Sequence, residues 1–272
     1  MGLNKQLKTQ KTMKNYAHNR KEHLAEYAKN NKLPTGGTYN DNGRPYEHIL
    51  KLDKNKIDIV KDFNILKDVN KDMLTEKLHR CAHHLNSSQI LCYNFFMPML
   101  TDKGKASKQL VKLLANYGIK IEEGAECKFE YNDNLGDNTK FDFHIKSGNI
   151  EVFFEIKYTE DGFGRAVKDE KHKTNFDTIY KKELGDKHNA LQTNPNCEEF
   201  LNKYQLYRNA IRIKDKNKYL ILLYPKHNEV ADRQAQKFIN EKINKEFRDN
   251  VQIIYWEDIA DKDTELYRKY FK

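Results

Sequence analysis

Cysteine is scarce in this 272-residue chain, and long apolar runs are missing from it. Four cysteines, Cys81, Cys92, Cys127 and Cys197, are too few for a disulfide framework and fit a reducing compartment. No apolar stretch approaches the roughly twenty residues that cross a bilayer, which excludes a helical membrane span. Met1-Gly-Leu-Asn-Lys lacks the apolar segment of a secretory signal, so a cytoplasmic location is expected. Internal repeats and low-complexity linkers are also lacking, which leaves no sign of a second independent enzyme. Glycines are too sparse between residues 159 and 187 for a phosphate-cradling loop.

What the chain has is positive charge and aromatic residues. A formal charge of +9, with sixteen tyrosines and fourteen phenylalanines, suits a protein that meets phosphate backbones while keeping an aromatic core. Solvated lysines would give the same balance, so charge supports nucleic-acid binding only modestly. The weight falls on residues 140–158. Two alternating runs, Lys140 to Ser147 and Ile150 to Tyr158, flank Gly148-Asn149, a two-residue loop with glycine first, as a type II′ hairpin turn prefers. Counting outward from the turn, Ser147 opposes Ile150, Ile145 opposes Val152, Phe143 opposes Phe154, Asp142 opposes Glu155 and Lys140 opposes Lys157. Alternation then predicts Phe141, Phe143, Ile145, Val152, Phe154 and Ile156 on one face, with Asp142, His144, Glu155 and Lys157 on the other.

Two carboxylates directly opposite on neighbouring strands repel by roughly 4 kcal/mol at about 4 Å and an effective dielectric near 20. A hard divalent ion with oxygen ligands would compensate that repulsion. A solvated face with a simple Glu/Lys pair is the alternative, but the apolar neighbours predict a buried mid-sheet position where unpaired charge is costly. Two other acid-x-Lys triplets, Glu126-Cys-Lys128 and Asp169-Glu-Lys171, have no acid opposed across a hairpin.

Asp142, followed at thirteen residues by Glu155-Ile-Lys157, resembles the PD-(D/E)xK nuclease motif. The strings His84-Leu-Asn-Ser-Ser-Gln-Ile-Leu-Cys-Tyr-Asn-Phe-Phe96 and Phe154-Glu-Ile-Lys-Tyr-Thr-Glu-Asp-Gly-Phe-Gly164 resemble signatures of a group of restriction endonucleases within that superfamily. The resemblance spans the middle and end of the chain, and the first eighty residues match less specifically. It implies an α/β fold, a mixed central sheet of about five strands with an αβββαβ core flanked by helices, preceded by an N-terminal helical extension. It implies Mg2+, with Mn2+ able to substitute, held by Asp142, Glu155 and the main chain of Ile156. Lys157 would assist the attacking water, and Gln205, on the helix after the hairpin, would hold that water or the scissile phosphate. A third acid would have to come from Glu122, Glu123, Glu126 or elsewhere.

The expected activity is metal-dependent hydrolysis of double-stranded DNA by a restriction-type enzyme acting against foreign DNA, without a membrane partner and as a homodimer. A structure-selective or repair nuclease and a non-catalytic DNA-binding module are the alternatives. Candidate DNA contacts are Lys140, Arg165, Lys168, Lys171, Lys173, Arg208 and Arg212. The polar segment with Lys168, Lys171, His172, Lys173, Lys181, Lys182 and Lys187 either tracks a DNA backbone or is an exposed insertion.

Residues 1–100 are expected as a basic helical extension packed on the core, and residues 101–272 as the nuclease core. Residues 1 to 32 hold eight Lys or Arg against two Glu, with scattered Leu3, Leu7, Met13, Tyr16, Leu24 and Tyr27, an imperfect helical pattern. Breaks are expected at Pro34-Thr-Gly-Gly and Asn40-Asp-Asn-Gly43. Helical spacing runs from Lys71 through Leu74, Leu78, Ala82 and Leu85. A cap at Asn86-Ser-Ser precedes a helix ended by Pro98, and another helix from Lys105 to Tyr117 is stopped by Gly118. Cys81, His83, His84 and Cys92 are competent zinc ligands at a spacing that fits no common finger. Further on, the patterning predicts a helix over Glu198 to Ile213 and strands at Cys127 to Tyr131, Tyr219 to Tyr224 and Val251 to Trp256. Between the last two strands, Ala231, Ala235, Phe238 and Ile239 mark another helix.

Overall fold

A computed structural model describes residues 2–39, 43–52, 56–74, 78–185 and 189–272, with side chains from residue 16 onward. The expectations for the side chains of Leu3, Leu7 and Met13, for Asn40 to Asn42 and for Lys187 therefore lie outside the described residues. In chain order the elements are α1 (Gly2–Asn30), β1 (Thr35–Gly37), β2 (Tyr46–Leu50), α2 (Lys56–Phe63), α3 (Ser88–Phe96), α4 (Lys108–Ala115), β3 (Glu126–Asn132), β4 (Lys140–Ser147), β5 (Ile150–Ile156), α5 (Glu170–Asn175), α6 (Lys181–Gly185), α7 (Cys197–Asn202), α8 (Tyr204–Ala210), β6 (Lys218–Tyr224), α9 (Glu229–Lys242), β7 (Val251–Tyr255), α10 (Trp256–Ile259) and α11 (Glu265–Tyr270). No helix among the described residues is long and apolar enough to cross a membrane.

The chain divides into two compact units, Met1–Gly124 with Trp256–Lys272, and Ala125–Tyr255.

In the first unit, Leu24 and Ala28 are the buried positions among the described side chains of α1. The C-terminal helix is tied to it by polar bonds. Tyr27 donates to Glu265 at 2.8 Å, and Arg20 donates to the carbonyls of Tyr270 and Lys272. Ser87 caps α3 by accepting the Ile90 N–H, and Pro98 follows in a 3₁₀ turn that ends it. Every residue of α3 from Gln89 to Phe96 is buried. Its polar members are therefore structural: the Gln89 side chain accepts the His79 N–H, and Asn94 joins Leu66, Asn64 and Tyr270. Gly118, at φ +74, follows the last turn of α4, and the Ile119 N–H returns to the Leu114 carbonyl.

The helix expected from Lys71 to Leu85 does not form over the described residues. A single 3₁₀ turn at Lys71–Met73 is present, and residues 83–85 lie against β2 instead. The Leu50 N–H bonds the His83 carbonyl, and the Leu85 N–H bonds the His48 carbonyl. A long-range partner for the main chain has overridden the helical spacing.

The second unit is built on a five-stranded sheet in the order β3-β4-β5-β6-β7. β3, β4 and β5 are antiparallel neighbours, whereas β5, β6 and β7 are parallel. This is the mixed sheet flanked by helices that the sequence predicts. A parallel pair needs a crossover, and residues 157–217 supply it between β5 and β6, as α9 does between β6 and β7. Phe153, Leu220, Leu222 and Val251 from the strands join Phe200, Tyr207, Ala231 and Phe238 from the helices in one buried core.

Two helical expectations change here. The helix over Glu198 to Ile213 is broken at Lys203, whose φ of −127° and ψ of 40° separate α7 from α8. The polar segment after residue 168 is helical: α5 runs through a π turn at Phe176–Tyr180 into α6. Phe176, Tyr180 and Leu184 are its buried face. Their spacing of four residues was a legible helical signal, masked by the surrounding lysines.

Candidate active site

The Gly148-Asn149 turn sets the hairpin in the expected register, from Ser147↔Ile150 to Phe143↔Phe154. Gly148 has φ +59, the backbone geometry for which the turn needs glycine. Beyond Phe143 and Phe154 the strands part company. β4 stays with β3 as far as Asn132↔Lys140, while β5 follows β6 to Ile156↔Leu223, and the Lys157 N–H continues to the Leu223 carbonyl at 2.9 Å. Asp142 therefore does not sit in a ladder pair with Glu155. Its carboxylate instead accepts the Ile156 N–H at 2.6 Å, tying the two strands where their pairing ends. Lys140 is paired with Asn132 and exposed, so the expected Lys140–Lys157 opposition is likewise replaced.

The face assignment of Phe141 is corrected too. Phe143 keeps the company of Phe129 and Phe154, but Phe141 packs on Phe153, with ring centroids 4.7 Å apart, in the core beneath α8. Tyr131, opposite Phe141, stacks on His144 at 3.8 Å. The change of side accompanies Glu130, whose φ of +48 interrupts the alternation of β3.

Glu155 and Lys157 are both buried, at 3% and 7% exposure, so their charges must be compensated by protein. Lys157 Nζ lies 2.5 Å from Glu155 Oε1, and Asn209 Nδ2 donates to Glu155 Oε2 at 2.7 Å. The Arg208 guanidinium approaches the same oxygen at 3.8 Å. Burial by itself would raise the Glu155 carboxyl, but Lys157 and Arg208 outweigh it and hold the group below the ordinary carboxylate range. Burial likewise works against the Lys157 ammonium, yet Glu155, Asp142 and Glu160 push its pKa above the usual lysine value. Asp142 goes the opposite way: burial and the Glu155 charge raise it well above the usual value, with Glu130 adding to the effect, against the lowering by Lys157. The pair thus divides, with the Glu155 carboxyl held down and the Asp142 carboxyl pushed up.

Asn209 is the residue that sequence reasoning missed. It lies four positions after Gln205, on the same helical stripe as Gln205, Arg208 and Arg212, which was the available signal. Gln205 Oε1 accepts the Gly164 N–H at 2.7 Å. It shares with Gln234 and Asn228 the task of strapping the loop after Lys157. Gln234 accepts the Phe163 N–H, and Asn228 donates to the carbonyls of Tyr158 and Glu160.

Arg212, expected at DNA, is buried at 6% exposure. Its Nε bonds Asp133 at 2.8 Å, and its Nη2 bonds Asp137 at 2.8 Å, so it clamps the loop between β3 and β4 onto the end of α8. Arg208 is half-buried over the Tyr204 ring. Arg165, Lys168, Lys171 and Lys173 are exposed, with Lys168 paired to Glu198 and Lys173 to Glu170.

Among the described residues, no three His, Cys, Asp or Glu side chains converge into a metal-holding group. Glu122, Glu123 and Glu126 thus add no third acid to Asp142 and Glu155, and Cys81, His83, His84 and Cys92 assemble no cluster.

Comparison with known proteins places the chain in a family. No curated protein and no solved structure matches the chain significantly. A family model described as "Restriction Endonuclease associating with ARP" matches residues 20–271, nearly the whole chain, and the chain belongs to that restriction endonuclease family.

Proposed function

We propose that the chain is a Mg2+-dependent endodeoxyribonuclease that hydrolyses phosphodiester bonds of double-stranded DNA and acts in restriction of foreign DNA. Family membership supports an endonuclease with a DNA substrate. The observation that carries the finer reading is the junction where β4 and β5 separate, with Asp142 on the Ile156 main chain and the buried Glu155 and Lys157 paired beside it.

The residues fit the ion. Asp142 and Glu155 offer hard oxygen donors, the Ile156 carbonyl is a third, and Mg2+ commonly takes one or two carboxylates with substrate phosphate and water completing its shell. Burial and the Glu155 charge push the Asp142 carboxyl up, and a divalent cation beside it would offset that repulsion. Mn2+, with similar ligand preferences, is expected to substitute. A divalent ion held there supplies polarisation of the phosphoryl oxygen and a more acidic water.

The chain's own residues set up the rest. Lys157, held 2.5 Å from Glu155, would assist the attacking water and stabilise charge that develops on the phosphate. Asn209 holds Glu155 in its orientation from α8, and the side chains of Gln205, Gln234 and Asn228 fix the loop that follows Lys157. Exposed Lys140, Arg165, Lys168, Lys171 and Lys173 would meet the DNA backbone. Two copies related by a twofold axis would account for cutting both strands, and light scattering with and without duplex tests for that dimer.

The reading is tested by incubating the pure protein with duplex DNA and Mg2+ beside an Asp142→Ala control, followed by sequencing of the product ends. Defined, sequence-specific ends from the parent and none from the control are expected. Equal cleavage by both would refute the assignment, and preferential cutting of branched or single-stranded substrates would make this a structure-selective nuclease.

A further inference from the structure

The first unit contains a cavity of about 600 Å³ that the hydrolytic reading does not use. Its lining includes Gly36, Tyr39, Lys51, Lys56, Arg80 and His83. Three of these side chains are cations, and no Asp or Glu lines it among the described residues. Lys51, Lys56 and Arg80 are exposed, so phosphate could reach them without a buried-charge cost. His83 is different: it is buried, burial lowers its pKa, and its Nε2 faces the Thr38 carbonyl at 3.4 Å, so it is neutral at pH 7.

One wall is aromatic and fixed. Tyr39 makes perpendicular ring contacts with Tyr46 at 5.3 Å and with His84 at 4.5 Å, yet remains 43% exposed. A ring held this way offers a stacking surface with little side-chain entropy left to lose. Behind it, the Nε2 atoms of His48 and His84 are buried without a hydrogen-bond partner among the described residues. Gly36, at φ +93, has no heavy atom within 4 Å of where a Cβ would stand, which keeps the backbone beside the cavity open.

We propose that this cavity binds one nucleotide of the DNA on which the chain acts, its phosphate on Lys51, Lys56 and Arg80 and its base against Tyr39, so that the first unit reads the substrate while the second cuts it. The volume falls in the range of ordinary small-ligand pockets. Arginine and lysine with an aromatic platform form the usual chemistry for an unstacked nucleotide. The inference rests on the chain acting on DNA.

The test is calorimetric titration of the full chain, in EDTA, with each deoxynucleoside 5′-monophosphate, with the matching nucleosides and with inorganic phosphate. At least one monophosphate is expected to bind about tenfold or more tightly than its nucleoside or phosphate alone. Tyr39→Ala and Arg80→Ala should each weaken it by roughly tenfold while leaving the thermal midpoint unchanged. No binding, phosphate binding as tightly as the nucleotide, or affinity unmoved in both folded variants would overturn the proposal. Because EDTA removes hydrolysis from the measurement, a parent that cleaves DNA but binds no nucleotide refutes this inference and leaves the nuclease reading standing.

Discussion

Replacing Arg212 with alanine separates a DNA-contacting arginine from a structural one. In the fold its guanidinium is 5% exposed, Asp137 opposite it is fully buried, and Asp133 is 16% exposed. Removing one partner of a buried ion pair typically costs about 3–5 kcal/mol, because the remaining charge is left without compensation. For a chain of this size each kcal/mol moves the midpoint by about 2–4 °C, so Arg212→Ala should lower it by about 6–20 °C. The pH dependence adds a second readout. Burial raises the Asp137 carboxyl, but Arg212 and the Thr139 N–H bring it down from 3.8 to about 2. A depressed carboxylate stabilises the fold above its unfolded pKa, and that contribution of about 2.5 kcal/mol disappears as pH falls from near 4 towards 2. Without Arg212 the burial penalty on the charged form is opposed by the Thr139 and Tyr180 hydrogen bonds but no longer by an ion pair. The gap between parent and variant should therefore widen as pH rises through the carboxylate range and be narrowest in acid. Urea melts at pH 3, 5 and 7 measure both effects, and Arg212→Lys should recover part of the loss without the forked geometry. An Arg212→Ala protein that melts within a degree of the parent, but binds DNA more weakly and with a shallower salt dependence, would refute the clamp and restore the DNA contact.

Asp142→Asn keeps an acceptor for the Ile156 N–H but removes the charge, so it should fold normally while losing both cleavage and any Mg2+-induced rise in melting temperature; a retained rise would remove Asp142 from the metal site. Lys157→Ala should keep the Mg2+ shift and DNA affinity yet reduce single-turnover cleavage by orders of magnitude, as expected when a transition-state interaction is lost, and a parental rate would disprove its role. Asn209→Ala removes a hydrogen bond to a buried carboxylate and should cost about 1.5–3 kcal/mol in a urea melt, with slower cleavage; unchanged stability would mean that Glu155 does not depend on it. Lys140→Ala should weaken DNA binding and flatten its salt dependence without changing the single-turnover rate at saturating protein, and filter binding across a salt series checks this.

Much of the site could be read from the residues because its first constraints are local. A two-residue turn with glycine first specifies which residues face each other in β4 and β5, and period-two alternation marks the strands. The same locality made Ser87 legible as a cap, Pro98 as a terminator and Gly118 as a helix stop. The point at which the hairpin stops pairing was not local. It depends on β5 preferring β6, a strand more than sixty residues later, while β4 stays with β3. Partner choice was equally hidden: Asn209 reaches Glu155 across 54 residues, and Arg212 reaches Asp133 across 79. A sequence pattern placed Arg212 on the helix that follows the hairpin; the structure sets it just past the end of α8 with two carboxylates against it. The helix expected before Leu85 and the continuous helix expected through Lys203 failed for the same reason, since helical propensity is worth tenths of a kcal/mol per residue and main-chain or core partners far along the chain are worth more. Turn chemistry and period-two alternation determined the hairpin and the strands; long-range pairing decided which charges meet, because burial makes every such charge depend on a partner that chain order does not reveal.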